Sequence, residues 1–150
     1  MREEYEIMYV ISSCLLGNNC KYDGGNNKNE KVLEFYRTNS CCTVCPELLG
    51  GLSSPRPPAE ISQGKVIDIN GRDNTEAFAV GAQKSWLHVL KQAERRREKI
   101  EGAILKSNSP SCGSGFIYDG SFTGKLIEGD GMFAEILKKH GIEVKTEKDL

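Results

Sequence analysis

The sequence has no long apolar run, no surplus of either charge and only two histidines. Its early apolar stretch, Ile7 to Ile11, is far too short for a membrane span and lacks signal-peptide organisation. A cytoplasmic protein, not a membrane protein, is the expectation. The formal net charge is −1, whereas a protein that grips a nucleic-acid backbone usually carries a basic excess or stripe. The dense basic run Arg95-Arg96-Arg97, flanked by Glu94 and Glu98, suits the solvated end of a helix. The charge balance therefore favours a small-molecule partner over a nucleic-acid polymer. With no repeat, low-complexity tract or linker, residues 1–150 read as one domain. A chain of this length buries a core without needing disulfides.

Helical and strand-like patterns alternate. Ile7–Ser12 is near-continuously apolar, as in a parallel strand covered on both faces. A Gly/Asn-rich loop follows, then a short helix over Asn29–Tyr36 and a second strand over Cys41–Cys45. Pro46 to Glu60 holds four prolines and a Gly-Gly pair and is expected to be irregular. Val66–Ile69 is a small strand. Asp73 or Asn74 caps a long helix ending near Arg97, with Ala79, Ala82, Trp86, Leu90 and Ala93 facing inward. Ile100–Lys106 is the next strand, and Ser107 to Gly131 a second Gly-rich loop. Met132–His140 is a helix stopped by Gly141, and Ile142–Val144 the last strand. The alternation predicts an α/β fold: one compact domain with a small, mainly parallel sheet flanked by helices, Rossmann-like and three-layered. Ligands then bind beyond the carboxyl ends of the strands.

Three of the six cysteines fall at those ends. Cys14 follows the first strand, Cys45 ends the second, and Cys112 lies in the loop after the third. Each sits in a distinctive segment: Ser13-Cys-Leu-Leu-Gly-Asn-Asn-Cys-Lys-Tyr-Asp-Gly-Gly, Cys45-Pro-Glu-Leu-Leu-Gly-Gly, and Ser107-Asn-Ser-Pro-Ser-Cys-Gly-Ser-Gly. Thiols in a reducing compartment do metal, redox or nucleophilic chemistry, or simply pack. Glu47 lies two residues past Cys45, where a carboxyl group can position water or move a proton. Arg56 either anchors a substrate oxygen or ties its loop down by an ion pair. Ser109 or Ser111 can orient a substrate. Backbone N–H groups of a Gly/Ser loop stabilise thiolate charge.

Two metal readings and a redox one follow. Zinc takes a closed tetrahedral set, here Cys42 and Cys45 with Cys14 and Cys20. An iron–sulfur cluster is commonly held by four thiolates; with three, one iron stays open to substrate. A C-x-x-C redox pair would be Cys42 and Cys45. Cys41 and Cys42 should point to opposite faces of a strand and pack as small apolar residues. Cys20 is a spare ligand, a packing thiol or a sulfur relay. His88, within the long helix, and His140, at a helix end, lie away from every motif.

The stretches SSCLLGNNCKYDGG, CPELLGGLSSPRPPAE, GRDNTEAFAVGA and LKSNSPSCGSGFIYDGSFTG, with the following GDG, resemble a bacterial family first catalogued as a domain of unknown function (number 523). Its characterised members are thiouracil desulfurases. The resemblance runs from about Ile7 to Val144. It implies a 4Fe–4S cluster on Cys14, Cys45 and Cys112, with the fourth iron open to the substrate's sulfur. The implied reaction is a non-redox desulfuration of a thiolated pyrimidine, such as 2-thiouracil, as base or nucleoside, with oxygen supplied by water. Glu47 matches the family's acid/base and Ser109 its second catalytic group, with Ser107 and Ser111 close by.

Overall fold

A computed structural model describes residues 6–150. In chain order its elements are β1 (Glu6–Ser12), a 3-10 turn (Ser13–Leu16), α1 (Glu30–Thr38), β2 (Cys41–Val44), α2 (Pro46–Leu49), β3 (Ala59–Ser62), β4 (Lys65–Asp68), α3 (Thr75–Arg96), β5 (Glu98–Leu105), β6 (Phe116–Tyr118), β7 (Leu126–Glu128), α4 (Met132–Lys139), β8 (Glu143–Thr146) and a closing 3-10 turn (Glu147–Asp149).

The main sheet has four strands in the order β2-β1-β5-β8, every neighbouring pair parallel. Helices cover both faces, which is why β1 is apolar almost throughout. Val10 and Met8 face a cluster with Val44, Val89, Leu105 and Phe133, beneath α3 and α4. Ile11 faces the other side, with Leu15, Val32 of α1 and Ile104. The three-layer α/β arrangement expected from the sequence is therefore present. From β1 the chain turns outward to β2, and from β2 it crosses back to β5. A crevice opens where those paths diverge, at the carboxyl ends of the strands.

Local signals account for several boundaries. The Asn29 side chain accepts from the Val32 N–H and starts α1. Asn74 stands at the cap position of α3, but the Asp73 carboxylate accepts the Thr75 N–H. Gly141 adopts φ 76 just past α4. Trp86 is buried, as expected, and His140 stacks on it with ring centroids 4.3 Å apart.

Four expectations are corrected. Pro46–Glu60 is not irregular throughout: Pro46–Leu49 is a turn of helix and Ala59–Ser62 a strand. Pro46 occupies the first helical position, where no N–H is needed and its φ already fits. The strand at Cys41 ends at Val44, and Cys45 is the residue that caps α2. The Gly-rich loop after Ser107 contains the hairpin β6–β7. The buried stripe of α3 also differs: Phe78, Gly81, Ala82, Ser85, Trp86 and Val89 are inside, while Ala79 and Leu90 are exposed. Ser85 disguises the stripe because its hydroxyl is satisfied locally, donating to the Gly81 carbonyl at 2.7 Å.

Gly81 and Gly50 let α2 lie directly on α3. A Cβ on Gly81 would collide with the Pro46 carbonyl, and one on Gly50 with the Ala77 carbonyl. Mid-helix Gly→Ala normally stabilises by about 1 kcal/mol. Gly81→Ala is instead expected to cost about 1–3 kcal/mol by overpacking, lowering the thermal midpoint by several degrees. An unchanged or raised midpoint would show that α2 does not rest on this contact.

Candidate functional site

The Cys14, Cys45 and Cys112 segments meet at the carboxyl edge of the sheet. All three cysteines, with Glu47, Arg56, Lys106, Ser107, Ser109 and Ser111, line one cavity of about 780 Å³, a volume typical of small-molecule sites. Cys14 lies in the 3-10 turn after β1, Cys45 at the cap of α2, and Cys112 in the loop after β5. The proline-rich segment is fastened to the first loop and walls the cavity. The Ser54 hydroxyl donates to the Lys21 carbonyl at 2.6 Å, and the Arg56 N–H to the Tyr22 carbonyl at 2.6 Å.

Each sulfur sits among donors. The Cys20 thiol, beside both Cys14 and Cys45, does most to hold their thiols below the ordinary value. For Cys14 this outweighs burial, with help from the Asn27 amide 3.4 Å away and from the Lys106 ammonium. For Cys45 it also outweighs burial; the Leu48 N–H and Arg56 add to it, and the thiol falls to about 7. Cys20 pays in reverse: its own thiol, bonded to two neighbours, is pushed well up. Burial drives Cys112 to about 12, opposed by the hydroxyls of Ser12 and Ser111. Cys20 is thus part of the sulfur group, a placement its position in the first loop left open. Ser12 is a further addition. Its hydroxyl oxygen accepts the Lys106 N–H at 2.9 Å, tying the ends of β1 and β5 together beside Cys112.

Glu47 and Arg56 form an ion pair at 2.5 Å, with little of either side chain exposed. Of the two roles open to Arg56, the structure shows the ion pair. Burial pushes the Glu47 carboxyl above its usual value and the Arg56 guanidinium opposes this. The three serines are distinguished by their bonds. Ser107 donates to the Glu147 carboxylate at 2.7 Å, and its oxygen accepts from Lys106 at 3.1 Å. Ser111 is buried against Cys112. The Ser109 oxygen accepts the Cys112 N–H at 2.8 Å, which leaves its own proton to donate. Glu147, from the turn after β8, had no signal in the sequence beyond being a carboxylate near the end of the chain.

The GDG segment holds the Cys112 loop. The first N–H groups of α4 donate to the carbonyls of Pro110 and Ser111, which satisfies donors a helix start otherwise leaves free. A Cβ on Gly131 would strike the Ser111–Cys112 peptide. Asp130 accepts the Gly115 N–H at 2.8 Å and pairs with Lys138 at 2.7 Å.

The remaining candidates do not line this cavity. Cys41 and Cys42 do point to opposite faces of the sheet and pack in the two apolar clusters; burial raises both thiols, Cys41 to about 11. Arg96 donates to the Cys41 carbonyl at 3.0 Å, tying the basic helix end to β2. His88, remote from the motifs in sequence, shares a smaller cavity of about 230 Å³ with Ser13, Cys45 and Leu48. No helix among the described residues is long and apolar enough to cross a membrane.

The chain is similar to known proteins along nearly its whole length. The uncharacterized protein YbbK of Bacillus subtilis (strain 168) is 40% identical over 153 residues, covering 95% of this chain and 97% of its own. A solved structure of the [4Fe-4S]-dependent thiouracil desulfidase TudS (DUF523Vcz) superimposes with a TM-score of 0.83 at 37% identity, covering 98% of this chain and 93% of that one. The family model for 2-thiouracil desulfurase matches residues 9–149, a span that takes in all three cysteine segments, the proline-rich wall and the GDG segment. The chain belongs to the 2-thiouracil desulfurase family.

Proposed function

We propose that this protein removes sulfur from a thiolated pyrimidine of the 2-thiouracil kind, using a 4Fe–4S cluster held by Cys14, Cys45 and Cys112. The observation that carries the proposal is the convergence of those three cysteines, from three strand ends, on one small-molecule cavity. Its supporting context is a relative described as [4Fe-4S]-dependent that aligns along nearly the whole chain.

The donor set fits an iron–sulfur group. Thiolates are its usual ligands, and N–H and O–H groups directed at sulfur tune it. Here Asn27 serves Cys14, the Leu48 N–H serves Cys45, and Ser12 and Ser111 serve Cys112. When bound, such a cluster with three protein ligands supplies an open iron with affinity for the substrate's sulfur. The net change is C=S plus water giving C=O plus hydrogen sulfide, with no electrons transferred. Glu47, beside the second ligand, takes a proton from the attacking water and returns one to the departing sulfur. Arg56 holds that carboxylate in place. The Ser109 hydroxyl donates a hydrogen bond to the substrate and keeps its proton.

The alternatives fit less well. Zinc requires its ligands drawn around one ion. Both the zinc and the C-x-x-C readings need Cys42, which is buried in the apolar cluster under α3. The test is product analysis under anaerobic conditions without a reductant. One uracil and one sulfide are expected per 2-thiouracil consumed. A requirement for an electron donor would overturn the non-redox reading.

A further inference from the structure

Phe122 has an unusual backbone for its side chain. Four non-glycine residues among those described have positive φ: Gln63, Arg97, Asn108 and Phe122. Three have local reasons. Gln63 and Gly64, at φ 51 and 78, form the two-residue turn between β3 and β4, which favours such angles. Arg97 is the left-handed residue that ends α3. Asn108 is of the residue type that tolerates this region. Phe122, at φ 57, is bulky and aromatic, so the conformation is strained and glycine or asparagine would be cheaper there.

The surrounding structure holds it. One oxygen of Glu60, on β3, accepts the N–H groups of Gly120 at 3.0 Å and Phe122 at 3.1 Å. Gly120 lies against Ser62, where a Cβ would not fit without a shift. The tip of the β6–β7 hairpin is thereby latched to the β3–β4 hairpin. Asp119 fixes the tip from its other side, accepting the Ser121 N–H at 2.9 Å. Phe122 is half-buried and lines the same cavity as Cys14, Cys45 and Cys112. Strained residues held by their surroundings cluster at ligand clamps. An aromatic face in such a place offers a platform for a flat heterocycle.

We infer that Phe122 is the wall on which the planar ring of the substrate stacks, and that Glu60 is the positioning residue that sets the ring there. This rests on the reading of the substrate as a pyrimidine, and it assigns a residue that selects for flatness.

The test is equilibrium titration of the anaerobic, cluster-loaded protein with uracil and with 5,6-dihydrouracil, whose saturated ring is puckered. Wild-type protein is expected to favour uracil by about tenfold, the scale of one aromatic stack. Phe122→Ala and Phe122→Asn should lose that preference, while Phe122→Tyr keeps it. Asparagine accepts the left-handed backbone, so its loss reports the missing ring and not a misfolded tip. Glu60→Gln should lower the preference, and combining it with Phe122→Ala should add nothing further. Wild-type protein without a preference for the flat ring, a preference that survives in the Ala and Asn variants, or additive losses in the double variant would each overturn the inference. A protein that keeps the stacking pattern but forms no uracil from 2-thiouracil would refute the proposed reaction and leave Phe122's role standing.

Discussion

Cys14→Ser, Cys45→Ser and Cys112→Ser are each expected to leave the anaerobically reconstituted protein without its full complement of iron and without turnover. The three sulfurs come from three different strand ends, so no neighbour on the same segment can take over a missing one, Cys20 excepted. Cys41→Ser and Cys42→Ser should keep both iron and activity. Their thiols are raised by burial and packed on opposite faces of β2, inside the apolar layers. Their cost is the burial of a hydroxyl where a weakly polar thiol sat, about 1–3 kcal/mol each if the new group finds no partner. Cys20 is the discriminating control. It touches Cys14 and Cys45, and a serine there still offers its one hydroxyl proton to either sulfur, so Cys20→Ser should keep its iron. Iron retained by Cys112→Ser and lost by Cys20→Ser would transfer the third ligand position to Cys20. Iron content by colorimetric assay, read beside the visible absorption, decides the matter.

Glu47→Gln should keep the iron and lose about 10²- to 10⁴-fold in kcat, the range for removing a positioned general acid or base. Glutamine preserves the shape and still accepts a hydrogen bond from Arg56, so the wall of the cavity stays in place. What it removes is the capacity to take and return a proton. Steady-state kcat at constant iron content measures the effect. Wild-type kcat in Glu47→Gln would assign the proton transfer to another group. Ser109 would be the first to examine, because Ser107 is committed to Glu147 and Ser111 faces Cys112.

Much of this organisation was legible in the residues, and what was not has identifiable causes. The parallel sheet showed in the near-continuous apolar β1 and in the strand–helix alternation. The convergence of Cys14, Cys45 and Cys112 then followed from chain polarity, because every parallel strand ends on the same edge. The short helix at Pro46 did not show, since four residues cannot establish a period. Its stability comes from resting on Gly81, a contact 35 residues away that no local pattern encodes. The inward face of α3 was misread for a related reason: Ser85 and Gly81 are core residues there and neither is apolar in the usual sense. The β6–β7 hairpin has strands of only three residues, four of the six exposed, so alternation had nothing to act on. Within the site, the residues alone did not separate the three serines of the Cys112 loop, and only the resemblance pointed to Ser109. They separate only through their partners: Ser107 is taken by Glu147, from the turn after β8, and the Ser109 oxygen by the Cys112 N–H. Phe122 lies in a stretch that carries the resemblance, but a phenylalanine in a loop gives no hint of a left-handed backbone.

The most direct measurement is reconstitution of the wild-type protein with iron and sulfide under strict anaerobiosis, followed by 2-thiouracil and quantitation of uracil against iron bound. About four irons per chain, a broad thiolate-to-iron absorption, and uracil formation that rises in proportion to iron loaded are expected. Uracil formed equally well by the iron-free protein, or tight stoichiometric zinc with no iron retained, would contradict a cluster-dependent desulfuration at this site.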